Sequence, residues 1–241
     1  DASRGCPFRC AFCLSALEGG VREFPIAGFL EEMKRLLDRG ARRIKFVDRT
    51  FNHHEDRAFE ILRFFLDQWR EGLQVHFEIV PDRLSPRIME MIARFPAGGL
   101  RLEAGVQSLN QASLAAIRRP QDSALALENI RWLCEHTGVI LHADLVAGLP
   151  KETWRSFRDG FDQLLAVRPH EIQLGILKRL RGAPITQIAE TNGLVFSPHS
   201  PYEVLQTNEM DFMEIQRLKR IARYFELYHN SGDFPRSMAL L

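Results

Sequence analysis

Strand-like and helix-like segments alternate along most of this chain, and this alternation restricts the possible fold more than any other feature. Short apolar runs at residues 44–47, 75–80 and 100–106 are each followed by a longer segment with apolar residues at helical spacing. Repeated β-α units predict parallel strands in a barrel or in an open doubly wound sheet. We expect about six units, counting a truncated first strand before Cys6, against the eight of a complete barrel.

The remaining segments complete an α/β pattern. Further strands are predicted at residues 139–146 and 172–177, and helices at residues 29–37, 59–69, 86–95, 123–136, 153–167 and 211–228. Ser123 is the expected N-cap of the helix that follows it. We expect a core domain at residues 1–196 and a C-terminal extension with one long helix at residues 197–241.

Three cysteines, Cys6, Cys10 and Cys13, lie within the eight residues C-P-F-R-C-A-F-C. A [4Fe–4S] cluster that only transfers electrons normally has four cysteine ligands. Three thiolates can hold three irons and leave the fourth iron open to another ligand, as in metal sites that bind substrates. The spacing therefore predicts a [4Fe–4S] cluster with one open iron.

Two other interpretations of the cysteines are considered. A zinc site needs a fourth ligand, and Cys134, His53 and His54 are the candidates, all far from the loop in sequence. A disulfide leaves one of the three loop cysteines unpaired. Cys134 falls on the apolar face of a helix, where a free cysteine usually packs in the core.

The composition excludes several classes of protein. The chain has 241 residues, 45% hydrophobic, with a net charge of +1, which is typical of a globular protein and gives no general attraction to nucleic acid. No apolar run is long enough to cross a bilayer, and we expect no membrane or nucleic-acid partner. Clustered cysteines favour a reducing compartment, so we expect a cytoplasmic protein. Because the chain starts at Asp1, we interpret it as part of a longer protein.

Polar residues recur where the predicted strands end. They are Asp48, Glu78, Glu103, Gln107 and Asp144. In parallel α/β folds, ligands bind at the carboxyl ends of the strands because loops and helix N-termini converge there. These residues are therefore candidates for a common binding site.

The cysteine loop and three later motifs, G-V-Q-S at 105–108, R-P-Q at 119–121 and D-L-V-A-G-L-P-K-E-T at 144–153, occur in this order. Together they resemble the radical S-adenosylmethionine (SAM) superfamily, over roughly residues 3–180. The resemblance implies a partial (β/α)6 TIM-like barrel with a C-terminal helical extension. It also implies an enzyme whose cluster cleaves SAM to a 5′-deoxyadenosyl radical, with SAM bound through its amino and carboxylate groups at the open iron.

The resemblance implies roles for individual residues. Phe12 would lie beside the adenine, and Glu78 and Gln107 would reach the ribose and methionine parts of SAM. Arg119 would pair with the carboxylate of SAM, and Asp144 would bind the ribose hydroxyls or lie near the sulfonium.

Two acids have additional interpretations. Many members of the superfamily have a Gly-Gly-Glu run after the second strand, whereas this chain has V-D-R-T-F-N at residues 47–52. Asp48 would then accept the hydrogen bond from the amino group of SAM. Glu103 is assigned to the cofactor site, although Glu103 and Asp144 can alternatively pair with Arg101 or Arg119.

The run from Asp48 to Phe51, and residues 173–185 and 201–205, are most similar to the cobalamin-dependent branch of the superfamily. This implies possible use of cobalamin, held mainly by a domain upstream of Asp1. The expected partners are an electron donor such as flavodoxin or ferredoxin and a small-molecule or peptide substrate. The sequence identifies no residue that acts on the substrate.

Other functions stay open at this point. The oxygen-independent coproporphyrinogen oxidase and methylthiotransferase branches are also similar, and Lys178, Arg179 and Arg181 would be propionate-binding residues in the first of these. An iron–sulfur electron-transfer protein would need Cys134 as the fourth ligand. A zinc-stabilised binding module is the third alternative.

Overall fold

The computed structural model describes residues 1–234. The strands are β1 (Ser3–Gly5), β2 (Val21–Glu23), β3 (Arg43–Lys45), β4 (Gln74–Ile79), β5 (Leu100–Gln107), β6 (Ile140–Ala147), β7 (Glu171–Ile176), β8 (Val195–Phe196) and β9 (Val204–Gln206). The helices are α1 (Ile26–Asp38), α2 (Glu55–Asp67), α3 (Pro86–Ala93), α4 (Gln111–Ala116), α5 (Ser123–His136), α6 (Trp154–Ala166) and α7 (Phe212–Phe225).

Five parallel strands form the central sheet, in the order β3-β4-β5-β6-β7. Helices α2, α3, α5 and α6 lie between successive strands in the chain, so the sheet is built from the β-α units that the sequence predicted. The α/β class is confirmed. Within residues 1–234 the sheet does not close on itself, and β3 and β7 are its edges.

Each strand of the sheet has one apolar face and one polar face. In β5, for example, Leu100, Leu102 and Ala104 are buried, whereas Arg101 and Glu103 between them are only partly buried. Side chains alternate across a strand, so the apolar set packs in the core and the polar set faces the other side. We call this polar side the inner face of the sheet.

Four phenylalanines pack at the β3 and β4 end of the core. The rings of Phe51 and Phe77 are stacked with centroids 3.8 Å apart, and Phe46 contacts both of them and Phe65. Each is at most 9% exposed, and full burial of such a side chain stabilises a fold by about 1.5–3 kcal/mol. This cluster fixes the loop after β3 against β4, beside the cysteine loop.

The strand predicted before Cys6 is present as β1, but β1 pairs antiparallel with β2 instead of joining the central sheet. The hairpin closes tightly, since a Cβ at Gly5 would collide with the carbonyl oxygen of Gly20. Gly5 also has a φ of 93°, which favours glycine. The loop that carries the three cysteines is therefore closed at its base by two glycines.

Several boundaries differ from the sequence-based expectation. The N-cap of α5 is Asp122, whose side chain accepts a hydrogen bond from the Leu125 amide, and not Ser123. The long C-terminal helix is α7, followed by a π-helical turn at Glu226–Asn230. Helix α4 and the β8–β9 hairpin were not predicted, because each is too short to show a hydrophobic period.

The division into residues 1–196 and 197–241 stays a prediction. Strand β8, on the first side of that boundary, pairs with β9 on the other side. Residues 235–241 of the predicted extension lie outside the described residues. Among the helices that are described, none is long and apolar enough to cross a membrane.

Asn52 joins the loop after β3 to the end of β4. Its amide oxygen accepts a hydrogen bond from Val80 N at 2.9 Å, and its amide nitrogen donates to the carbonyl oxygens of Val80 and Arg83 at 2.9 and 3.0 Å. Replacing it with alanine leaves buried backbone groups without partners. We expect Asn52→Ala to lower the free energy of unfolding by about 2–4 kcal/mol, measured by denaturant unfolding. The exposed Asn208→Ala is the control, with a loss below about 1 kcal/mol, and equal losses would contradict the assignment.

Candidate functional site

A cavity of about 150 Å³ lies where the cysteine loop covers the carboxyl ends of β4, β5 and β6. All three loop cysteines line it. The other lining residues are Phe8, Phe12, Ser15, Arg49, Thr50, Glu78, Ile79, Val80, Glu103, Gly105, Gln107, Arg119 and Asp144. The cavity thus brings together every residue that the sequence assigned to the cluster or to SAM, with the exception of Asp48.

The cysteine loop is fixed in place by backbone hydrogen bonds on two sides. Ala11 N donates to the carbonyl oxygen of Ile117 at 2.8 Å, and Ile185 N donates to the carbonyl oxygen of Ala11 at 2.6 Å. Within the loop, Cys13 N donates to the carbonyl oxygen of Cys10 at 3.1 Å. The loop therefore holds its cysteines against both the segment after α4 and the segment after β7.

The cysteines are free thiols in the structure, and their environment suits a cluster. Burial raises the pKa of Cys10, and the Arg119 guanidinium, whose Nη1 lies 3.8 Å from Cys10 Sγ, acts in the opposite direction. Iron binds cysteine as the thiolate, and a neighbouring cation favours that form. The residues present therefore fit a cluster bound through three thiolates.

A site for a single metal ion needs its ligands close together around one point. In the part of the chain that the structure describes, no three His, Cys, Asp or Glu side chains are placed to hold one metal ion. Each cysteine ligand of a [4Fe–4S] cluster binds its own iron, so the ligands of a cluster are spread more widely. Cys134 is partly buried in the core, does not line the cavity, and has its pKa raised to about 11 by burial.

Arg119 is oriented by the backbone of β5. Its Nη2 donates to the carbonyl oxygen of Gly105, and its Nε donates to Gln121 Oε1 at 3.1 Å. Gln121 in turn donates to the carbonyl oxygen of Val106 at 3.1 Å. In residues 1–234 Arg119 forms no ion pair with an acid, so its remaining donors are available to an anionic group in the cavity.

Gln107 has an unusual backbone conformation. Its φ is 68°, and Ser108 N donates to the carbonyl oxygen of Val106 at 2.9 Å, which makes Gln107 the centre of a strained γ-turn. The Gln107 amide then lies over Gly105, where an added Cβ would be 2.7 Å from Gln107 Nε2. Strained backbone of this kind is concentrated at functional sites.

The three acids of the cavity differ in protonation. The imidazole of His76, 3.2 Å away, together with Lys45 nearby, lowers the pKa of Glu103 to about 2. Burial, and then repulsion from Glu103 and Glu78, raises the pKa of Asp144 to about 7. Burial also raises the pKa of Glu78, although Arg49 lies 3.5 Å away. Near neutral pH the cavity therefore holds one firmly ionised carboxylate and a carboxyl that is partly protonated.

The sequence offered Arg101 or Arg119 as an alternative ion-pair partner of Glu103, but Glu103 has other partners in the structure. Glu103 lies 3.2 Å from His76 Nε2 and 3.5 Å from Lys45 Nζ. Arg101 pairs instead with Glu171 on β7, at 3.0 Å. The carboxylate of Glu103 is thus held from the side of β3 and β4.

Asp48 was expected to bind the amino group of SAM, and its position contradicts this. The carboxylate is 3% exposed and accepts hydrogen bonds from the amides of Ala2 and Ser3 and from the Ser3 hydroxyl. It therefore fixes the β1–β2 hairpin to the loop after β3. The sequence does not show that the start of the chain folds back onto this carboxylate.

Some residues of the site were not singled out from the sequence. Phe8 lies within the cysteine loop, and Arg119 and Arg83 are within 5.7 and 5.1 Å of its ring centroid. Arg49 is paired with Glu78, and Thr50 Oγ1 lies 3.5 Å from Cys6 Sγ. Their closeness in sequence to Cys6 and Asp48 was the available signal.

The basic run at residues 178–181 lies outside the cavity. Arg179 and Arg181 line a separate surface groove with Tyr202. His53 and His54 line a small pocket beside the β1–β2 hairpin, where His54 is 3.6 Å from Glu23. These residues do not face the cysteines.

The comparisons with known proteins agree with this geometry. Residues 2–164 match the radical SAM superfamily, and residues 190–241 match a protein family of unknown function, DUF4080. The chain belongs to the radical SAM superfamily. These are enzymes that use a [4Fe–4S] cluster, as the cysteine loop predicted, and SAM, as the resemblance implied.

Two curated relatives illustrate the range of the similarity. A ribosomal protein uS12 methylthiotransferase, RimO, from Myxococcus xanthus is 28% identical over 166 residues, which are 64% of this chain and 34% of the relative. A 2-(S-pantetheinyl)-carbapenam-3-carboxylate methyltransferase from Streptantibioticus cattleyicolor is 28% identical over 183 residues, covering 71% of this chain and 26% of the relative. The chain thus spans about a third or less of these proteins.

Known structures share the fold. The methyltransferase TsrM from Kitasatospora setae has a TM-score of 0.70 at 18% identity, over 89% of this chain and 44% of that chain. Coproporphyrinogen III oxidase from Escherichia coli has a TM-score of 0.61 at 14% identity, over 92% of this chain and 50% of that chain. The similarity confirms the predicted TIM-like barrel class, of which the described residues form a five-stranded part.

The three loop cysteines should be required for the cluster and Cys134 should not. We expect Cys6→Ala, Cys10→Ala and Cys13→Ala each to lose most of the bound iron and sulfide after anaerobic reconstitution, because each thiolate would bind a different iron of the cluster. Cys134→Ala should retain them and lose only packing stability. Loss of the cluster in Cys134→Ala would show that a fourth cysteine is a ligand.

The raised pKa of Asp144 predicts a pH-dependent stability. Its pKa is about 7 in the folded protein against an ordinary 3.8, so the folded state loses stability relative to the unfolded state as the pH rises between these values. We expect Asp144→Asn to raise the melting temperature more at roughly pH 8.5 than at roughly pH 5.5.

The control for this effect is Glu103→Gln. The pKa of Glu103 is about 2, so its carboxylate is ionised at both pH values and the substitution should lower the melting temperature at both. An effect of Asp144→Asn that is the same at both pH values would contradict the assignment.

Proposed function

We propose that Cys6, Cys10 and Cys13 hold a [4Fe–4S] cluster with one open iron and that SAM binds in the adjoining cavity. The observation that carries this proposal is that these cysteines line one cavity with the residues assigned to SAM. When bound, the reduced cluster and SAM supply a 5′-deoxyadenosyl radical. The protein holds and orients these groups and keeps water away from them.

The cavity residues suit the charged groups of SAM. Arg119, with free donors and a fixed guanidinium, would pair with the carboxylate of SAM. Glu103, ionised at neutral pH, would face its positive charges in the place that was expected for Asp48. Phe12 would lie beside the adenine, and Glu78, Gln107 and Asp144 would hydrogen-bond the ribose and methionine portions.

For the reaction, we propose cobalamin-dependent methyl transfer, with cobalamin held by a part of the protein outside this chain. The fold similarity to TsrM and to OxsB, a cobalamin-dependent radical SAM enzyme with a TM-score of 0.67 at 14% identity, supports this. A second candidate is methylthiolation, because RimO is among the relatives. The porphyrinogen alternative is weakened, since Arg179 and Arg181 line a different groove.

The proposed partners are a protein electron donor, such as flavodoxin or ferredoxin, and a small-molecule or peptide substrate. The cluster must be reduced before it can act on SAM, so the protein would work in a reducing compartment, which we propose to be the cytoplasm.

The test is analysis of the products of SAM on anaerobically purified, cluster-loaded protein with excess reductant. Reductive cleavage predicts 5′-deoxyadenosine, and Arg119→Ala should raise the SAM concentration needed for half-maximal rate by more than about tenfold through loss of a charged pair. Arg118→Ala, a neighbour of Arg119 that does not line the cavity, is the control. Cluster-loaded protein that neither binds nor cleaves SAM would overturn the proposal.

The same assay separates the two candidate reactions. With a catalytic amount of cobalamin and excess reductant, methyl transfer predicts S-adenosylhomocysteine in proportion to a methylated acceptor, because each methyl group that reaches the acceptor is then supplied by SAM. Methylthiolation predicts consumption of sulfide together with both adenosyl products, and independence from cobalamin.

A further inference from the structure

Strand β5 ends in an irregular turn beside the cofactor cavity. Gly105 is in register with Asp144 on β6, and Gln107 is in register with the very next residue of β6, so Val106 is an extra residue on β5. A β-bulge of this kind changes the direction of the side chains around it. Together with the positive φ of Gln107, the bulge brings the Gln107 side chain to the cavity. We call residues 105–108 the β5 turn.

Two side chains hold the β5 turn from other segments, as strained backbone requires. The amide nitrogen of Gln121 donates to the carbonyl oxygens of Val106 and Ser108 at 3.1 and 3.3 Å. From the loop between β6 and α6, Glu152 Oε1 accepts a hydrogen bond from the Ser108 hydroxyl at 2.6 Å. Because Gln121 also accepts a hydrogen bond from Arg119 Nε, the position of the β5 turn affects this guanidinium as well.

Glu152 is a buried acid that the cofactor assignments leave without a role. It is 1% exposed and does not line the cavity. In residues 1–234 Ser108 is its side-chain hydrogen-bond partner, and Glu152 Oε2 has none. Burial raises the pKa of Glu152 to about 7, and the hydrogen bond from Ser108 acts in the opposite direction. A carboxyl group in this position is costly, and the one side-chain hydrogen bond that it makes is to the β5 turn.

The loop that carries Glu152 is itself fixed to the segment after the β5 turn. The Ser108 hydroxyl, which has a single hydrogen to donate, donates to Glu152 and accepts from Asn110 N at 3.0 Å. Asn110 Nδ2 donates to the carbonyl oxygen of Lys151 at 3.1 Å. The two segments are therefore joined at two points, and the Glu152 carboxyl is held where Ser108 donates its hydrogen.

We propose that Glu152 is a positioning residue for SAM: through Ser108 it holds the β5 turn in the conformation that keeps Gln107 and Arg119 at the cofactor cavity. The inference rests on the proposed function, in which these two residues bind SAM. Without the hydrogen bond the turn relaxes towards ordinary strand geometry, and ordering it again then opposes SAM binding. A purely structural role of Glu152 would instead change the stability of the protein and leave its affinity for SAM unchanged.

The test is the dissociation constant of SAM, measured by anaerobic equilibrium dialysis on cluster-loaded protein. Glu152→Ala should weaken SAM binding by about tenfold, because the hydrogen bond that holds the turn is lost. Glu152→Gln keeps an acceptor oxygen and the same shape, and should bind SAM within about threefold of the wild type. The amount of SAM bound at saturation should stay the same in both variants, which separates weaker binding from loss of folded protein. Equal dissociation constants for the wild type and Glu152→Ala would overturn the inference.

Ser108→Ala tests the same hydrogen bond from the donor side. We expect a loss of SAM affinity similar to that of Glu152→Ala. The double variant should lose no more affinity than either single variant, because both substitutions remove one shared interaction. Losses that multiply in the double variant would show that the two residues act separately and would contradict the inference.

The control for reduced stability is Leu133→Ala, at a core residue of α5 that is 0% exposed and does not line the cavity. Loss of a large core side chain should lower the free energy of unfolding at least as much as Glu152→Ala does, as checked by denaturant unfolding. The dissociation constant of SAM should nevertheless match that of the wild type. An affinity for SAM that falls with stability in Leu133→Ala as well would reduce Glu152 to a structural residue and overturn the inference.

Failure of this inference and failure of the proposed function give different results. Wild-type protein that binds and cleaves SAM, with the same affinity in Glu152→Ala, would reject the role of Glu152 alone. Wild-type protein that neither binds nor cleaves SAM would reject the proposed function, and this inference with it.

Discussion

The two backbone hydrogen bonds that fix Ala11 determine where the site can be. One comes from its own amide to Ile117, after α4, and the other reaches its carbonyl oxygen from Ile185, after β7. Both anchors are backbone groups, so the loop geometry tolerates many side chains around the cysteines. The cysteines, the ends of β4 to β6 and Arg119 face one cavity because the loop is held between these two segments.

The alternation of side chains along the strands supplies both the stability of the fold and its chemistry. The apolar face of each strand packs in one core, which contains the stacked rings of Phe51 and Phe77. The opposite face carries Glu103, His142 and Asp144. Burial is the main cause of the pKa shifts of His142 and Asp144, and the neighbouring His76 is the main cause for Glu103. A protein interior that is this polar costs stability, and the raised pKa of Asp144 is one expression of that cost. The same feature provides hydrogen-bonding groups beside a reactive cofactor.

The sequence predicted the helices and strands whose apolar residues repeat at helix or strand spacing, and the site residues that belong to a short sequence motif. The five strands of the sheet and helices α2, α3, α5 and α6 follow from hydrophobic spacing. Gln107 and Asp144 were predicted from motifs at strand ends, and Arg119 from the R-P-Q motif that follows the first of them. Asp48 was misassigned because its partners, Ala2 and Ser3, come close only through a hairpin that short strands do not reveal. The γ-turn at Gln107 depends on contacts between strands, which no local pattern encodes.

In the proposed cluster, Cys6, Cys10 and Cys13 each bind one of the four irons, and the fourth iron is open to SAM. The most direct measurement is the Mössbauer spectrum of protein reconstituted with iron-57, recorded without and with SAM. We expect the signal of one iron in four to change when SAM is added, and Arg119→Ala to require more SAM for the same change. A spectrum in which all four irons are unaffected by SAM would contradict it.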